Sequence, residues 1–133
     1  MIGAVPATHA LVWHLCASPE LSATARDFID DTVRSGNVVC VSAISVLEVV
    51  HLVEKGRLSP STLENPASTL SDPESDLVCV PLDEHVALAA RGVLRDRVPY
   101  MPDRIIAATA LHLRIPLVTR DAGIRRSIVQ TVW

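Results

Sequence analysis

Three carboxylates in this chain stand where carboxylates are costly to place. Glu48 lies among Val46, Leu47, Val49 and Val50, in a run that follows a β-branched stretch. Asp103 opens the apolar run Pro102-Asp-Arg-Ile-Ile-Ala-Ala-Thr-Ala-Leu111, and Asp121 follows Pro116-Leu-Val-Thr-Arg120 directly. A carboxylate near a low-dielectric surface needs a partner or a cation. Several of them converging form a hard-oxygen site suited to Mg²⁺ or Mn²⁺, ions that clamp a phosphodiester for hydrolysis. Each also has a plainer reading. Asp103 and Asp121 suit helix N-termini, where a negative charge complements the macrodipole, and Glu48 suits a solvated helix face opposite Arg or Lys.

The elements that would position these acids alternate between short β-branched runs and longer periodic ones. Strands are expected over residues 1–5, 37–41, 77–80, 115–119 and 128–132, the first weakened by Pro6. Helices are expected over residues 8–16 with Thr8 as cap, 22–34 stopped by Gly36, 42–55 capped by Ser42 and stopped by Gly56, 83–94, and 102–113 with Pro102 in the first turn. Residues 60–70 read as a polar helix or turn, and residues 121–126 as one helical turn. Strands separated by helices imply an α/β fold, a parallel sheet covered on both faces, which binds ligands beyond the carboxyl ends of its strands. All three acids fall at such ends.

Other patterns carry less. Glu48 and His51 have the Glu-x-x-His spacing of di-metal helix bundles, but that architecture needs two such motifs. His9 and His14 do not share a helix face. The HExxH, GxGxxG, Walker A and GxSxG patterns are absent, and five glycines leave little material for a phosphate-cradling loop.

The 133 residues suffice for one core, so a single domain over residues 1–133 is expected. No uncharged apolar stretch is long enough to span a membrane, and no basic leader region begins the chain. Cys16, Cys40 and Cys79 are scattered without a CxxC pair, and read as small core residues of a reducing compartment, the cytoplasm. The net charge of −3 hides an asymmetry: residues 91–133 hold eight Arg against three Asp. Arginine grips phosphates bidentately, so this half suits a polyanion. With only Trp13, Phe28, Tyr100 and Trp133 as aromatics, binding through a row of stacked bases is not expected.

These residues together resemble the PIN-domain nucleases, and within them the VapC-type toxins of bacterial toxin–antitoxin pairs. Thr8-His-Ala-Leu-Val-Trp-His-Leu15 is similar to the family's opening, and Val41-Ser-Ala-Ile-Ser-Val-Leu-Glu-Val49 to the segment that supplies its invariant Glu. Met101-Pro-Asp-Arg-Ile-Ile-Ala-Ala-Thr-Ala-Leu111 and Leu117-Val-Thr-Arg-Asp-Ala-Gly-Ile-Arg125 resemble its third and fourth acidic segments. The resemblance runs nearly end to end. It implies a three-layer α/β/α fold with a parallel sheet in order 3-2-1-4-5, Mg²⁺- or Mn²⁺-dependent endoribonuclease activity, homodimerisation, and neutralisation by a cognate antitoxin. It also implies that Glu48, Asp103 and Asp121 are the catalytic metal ligands, with Thr8 and Thr119 supporting them. Arg104 and Arg120, next to two of the acids, are expected to contact RNA phosphates.

Two positions depart from the pattern, the first of them seriously. The family's first Asp, at the end of the first strand, falls on Ala7, and Tyr100 replaces an Asp that many relatives carry three residues before the third acid. Ala7 coordinates nothing, so turnover by this chain is expected to be weak or absent. The other expectation is a degenerate, non-catalytic PIN domain that binds its antitoxin. A metal-dependent phosphatase would need an Asp nucleophile at the same strand end, and ranks last.

Overall fold

Alternating strand residues send their side chains to opposite faces of a sheet, and this chain uses both faces. Ala4, Val39, Val41 and Val118 join one buried cluster, while their neighbours Val5, Cys40 and Leu117 join a second on the far side. The computed structural model describes residues 3–133. Its strands are β1 (Gly3–Pro6), β2 (Val38–Ser42), β3 (Leu77–Val80), β4 (Leu117–Val118) and β5 (Thr131–Val132). They form one parallel sheet in the order β3-β2-β1-β4-β5, as the sequence implies. The first two residues of the expected first strand lie outside the described residues. Pro6 is tolerated because Val5 and Ala7 supply the N–H groups to Pro116 and Val118, each at 3.0 Å, so that ladder needs none from Pro6.

On one face pack α1 (Thr8–Leu15), α2 (Ala23–Arg34) and α4 (Ser61–Leu70), with Leu11, Ala25, Ile29 and Leu70 against the sheet. On the other pack α5 (Glu84–Ala89), α6 (Met101–Leu113) and α7 (Ala122–Arg125), contributing Val86, Ile106, Ala107 and Ile124. Helix α3 (Ala43–Glu54) serves both, through Val46 and Ile44. Ser22 and Ser42 cap α2 and α3, accepting from Ala25 N and Ile44 N. Gly36 and Gly56 follow those helices at φ +77° and +73°, a region closed to most side chains.

Several expectations shift. Thr8 is not the cap of α1; Ala7 holds that position without a side-chain bond, and the Thr8 hydroxyl is engaged elsewhere. The helix expected over residues 83–94 is α5 alone, tightening into a 3₁₀ turn over Ala90–Gly92. Strands β4 and β5 shrink to the two residues of each that register with one another. Only Cys40 is a core cysteine. Cys16 follows the end of α1 and Cys79 lies on the outermost strand, and both are exposed. Among the described residues no helix is long and apolar enough to cross a membrane.

Candidate active site

Each acid is brought to the carboxyl edge of the sheet by a different local device. β2 runs straight into α3, whose second turn carries Glu48. Pro102, early in α6, has no N–H to leave unsatisfied, and Asp103 sits in the same first turn. β4 ends one residue before Thr119, a fully buried side chain whose Oγ1 accepts from Asp121 N at 3.0 Å. Asp121 then caps α7, its Oδ1 accepting from Ile124 N at 2.9 Å. The plain reading of Asp121 as a helix N-terminal acid is therefore met: one oxygen caps α7. Gly123 makes this turn possible, since a Cβ there would collide with the carbonyl of Arg97.

Glu48 is held from two sides. The Thr8 hydroxyl lies 2.5 Å from its Oε1 and 3.1 Å from Ser45 Oγ, and the Tyr100 hydroxyl donates to its Oε2 at 3.5 Å. Thr8 thus supports an acid forty residues away. Tyr100, which replaces an acid of the family pattern, touches Glu48 itself. The charge of Glu48 is the main reason the Tyr100 phenol is harder to ionise than usual, with burial and Asp103 adding to it.

Asp103 feels the charge of both other acids. Burial, and after it the negative charges of Asp121 and Glu48, together push the Asp103 carboxyl up to about 6. Among the described residues no donor reaches Asp103, so nothing offsets the repulsion. Carboxylate oxygens suit a hard divalent ion, but the expectation that all three converge closely enough to share one is not met. Among the described residues, no three side chains of His, Cys, Asp or Glu form a group that could hold an ion.

Ala7 follows the last residue of β1. It is buried, its N–H bonds to Val118 on β4, and the next residue bonds to Glu48 on α3. It packs in the same cluster as Ile106 and Ala107, one turn along α6 from Asp103. Position 7 therefore lies between the elements that carry all three acids, and its methyl group supplies no donor.

The two arginines part company. Arg104 turns inward, its Nε donating to Val93 O at 2.8 Å and its Nη2 to Ala90 O at 2.9 Å. These bonds tie α6 to both ends of the 3₁₀ turn, which sequence proximity to Asp103 could not reveal, because neighbours on a helix point in different directions. Arg120 stays exposed. Its guanidinium lies over the Trp13 ring, 4.5 Å from the centroid, and 3.8 Å from Glu20. Its backbone N–H donates to His9 Nε2 at 3.3 Å, which requires that nitrogen to be unprotonated. Burial, aided by Arg120 and opposed by Asp121, lowers the His9 pKa and keeps the ring neutral.

A PIN domain family model matches residues 4–127, nearly the whole chain. The chain belongs to the PIN domain family. PIN domains are in general nucleases that depend on divalent metal. No curated protein matches this PIN domain significantly by sequence. Its fold is similar to that of VapBC2 from Rickettsia felis bound to a DNA fragment from their promoter, with TM-score 0.71, 16% identity, and 98% of this chain and 97% of that one covered. A toxin–antitoxin complex from Klebsiella pneumoniae gives TM-score 0.68 and 19% identity over 98% and 96% of the two chains. FitAcB from Neisseria gonorrhoeae gives 0.62 and 21% over 98% and 96%.

Proposed function

We infer that this PIN domain, a single domain over residues 1–133, is a VapC-type toxin built to hydrolyse RNA, whose acidic site lacks one ligand. The repulsion of Asp103 by Asp121 and Glu48, with Ala7 packed between the elements that carry these acids, supports this reading. Glu48, Asp103 and Asp121 would hold Mg²⁺ or Mn²⁺, which when bound supplies an activated water and charge stabilisation at phosphorus. Thr8 and Thr119 fix the directions of Glu48 and Asp121. Arg120, exposed beside Asp121, binds RNA phosphate, while Arg104 drops out of that role because its donors are committed to carbonyls. With Ala7 the chain turns over RNA weakly or not at all.

The partner is a cognate antitoxin. An open groove of about 560 Å³ between α2, α4 and β3, lined by Leu15, Val33, Val39, Pro66 and Leu77, suits an amphipathic segment. Leu47 and Tyr100, exposed beside Glu48, and the adjacent Met101 form a face that a homodimer would cover. One of the three similar structures is, by its description, a toxin–antitoxin complex, which supports a partner of this kind, and the pair is proposed to act in the cytoplasm.

The test is a purified pair, the parent and Ala7→Asp, assayed on RNA with Mn²⁺ and with chelator. Ala7→Asp should cleave in a chelator-sensitive way and gain thermal stability from Mn²⁺, while the parent does neither. The absence of a donor at Ala7 favours one second reading, a non-catalytic domain kept to bind its antitoxin. A folded but silent Ala7→Asp that still binds the partner would select it. Strong chelator-sensitive cleavage by the parent would show that the first acid is dispensable.

A further inference from the structure

Two of the four aromatic side chains, 120 residues apart in sequence, meet beside the acidic site. Trp13 on α1 and Trp133 after β5 have ring centroids 5.9 Å apart, and His9 lies edge-on to both, at 5.1 and 5.9 Å. The underside of the cluster is anchored, since Trp13 and Trp133 both pack on the core beneath α1 and α2. Its upper side carries the Arg120 guanidinium, just over half exposed, over Trp13 and one residue from Asp121. Capping the core accounts for the two indoles. It does not account for an exposed cation held over one of them at the edge of the acidic site. The ion pair with Glu20 is long and solvent-exposed on both sides, so it holds Arg120 only weakly. The aromatic contact and the Arg120 N–H to His9 do most of the positioning.

We propose that Arg120 on Trp13, buttressed by His9 and Trp133, is a stacking platform for one nucleobase of single-stranded RNA next to the scissile phosphate. The inference rests on the ribonuclease reading above and names how its substrate is gripped. A guanidinium has two faces; with Trp13 beneath one, the other is open to a base. The same group pairs with phosphate, so stacking and charge act at one point. A single platform fits a chain too poor in aromatics for a row of them.

Trp13 and Trp133 are the only tryptophans, so intrinsic fluorescence reads the platform directly, without metal or turnover. The parent chain is titrated in chelator with a short single-stranded RNA and with the matching abasic backbone. The RNA should change the fluorescence and bind at least about fivefold more tightly than the abasic strand. Trp13→Phe should remove most of the signal. Arg120→Lys, which keeps the charge and loses the plane, should forfeit the preference for bases while retaining the salt dependence; Arg120→Ala should lose the preference for bases and lower the salt slope by about 1. Near-ultraviolet circular dichroism verifies that each variant is folded. Equal binding of the abasic strand, or an Arg120→Lys variant equal to the parent, would overturn the platform. If Ala7→Asp cleaves RNA while the fluorescence stays silent, the platform falls and the nuclease stands. A base-dependent change with a silent Ala7→Asp leaves the platform standing and overturns the nuclease.

Discussion

The Thr8 hydroxyl meets Oε1 of Glu48 at 2.5 Å, joining the first residue of α1 to the second turn of α3. The contact crosses forty residues of sequence and sits beside Ala7. Thr8→Val removes the donor and leaves a part-buried carboxylate oxygen without it. A hydrogen bond to a charged group is worth about 1.5–3 kcal/mol, so urea unfolding at pH 7 should show a loss near the lower end of that range. Thr8→Ser, which keeps the hydroxyl, should recover most of it.

Arg104 and Arg120 should fail in different ways. Arg104→Met strips two hydrogen bonds from the carbonyls of Ala90 and Val93, and should lower stability by about 1–3 kcal/mol. It should leave the salt dependence of RNA binding unchanged. Arg120→Ala should cost little stability, because its ion pair is exposed, yet reduce the slope of log affinity against log salt by about 1. Denaturation and salt titrations on both variants separate the roles.

Asp103 makes stability depend on pH in an unusual direction. Its carboxyl titrates at about 6 in the folded chain, above the usual 3.8. Between those values the native state binds more protons than the unfolded chain, so stability falls as pH rises, and the full penalty is present above pH 6. For a half-exposed carboxylate, screening reduces this to about 1 kcal/mol. In chelator, Asp103→Asn should be more stable than the parent by about that amount at pH 7. Its stability should also lack the decline between pH 4 and 6 that Asp103 contributes.

Gly123→Ala tests the turn that aims Asp121. The new methyl would meet the Arg97 carbonyl and lie 3.2 Å from Asp121 Oδ1, so α7 must move. A loss of about 1–3 kcal/mol is expected. In the Ala7→Asp background it should also weaken Mn²⁺ stabilisation, measured by thermal unfolding with and without the ion.

The sequence by itself determined the sheet and singled out three acids. Short β-branched runs between helical periods dictate a parallel sheet, and Glu48, Asp103 and Asp121 each carry a local signal, a polar residue in an apolar run at a strand end. Ser42, Gly36 and Gly56 set helix boundaries because capping and positive φ are properties of single residues. Only the tertiary structure decided which side chains meet. Arg104 and Arg120 look alike in sequence, each beside an acid, yet one is spent on backbone carbonyls and the other lies over Trp13. Thr8 reads as a cap and instead holds Glu48, and Trp133 joins Trp13 from the far end of the chain. Periodicity and capping depend on neighbours a few residues away, whereas these pairings depend on side-chain direction after the sheet has closed. That direction is set by packing across both faces of the sheet.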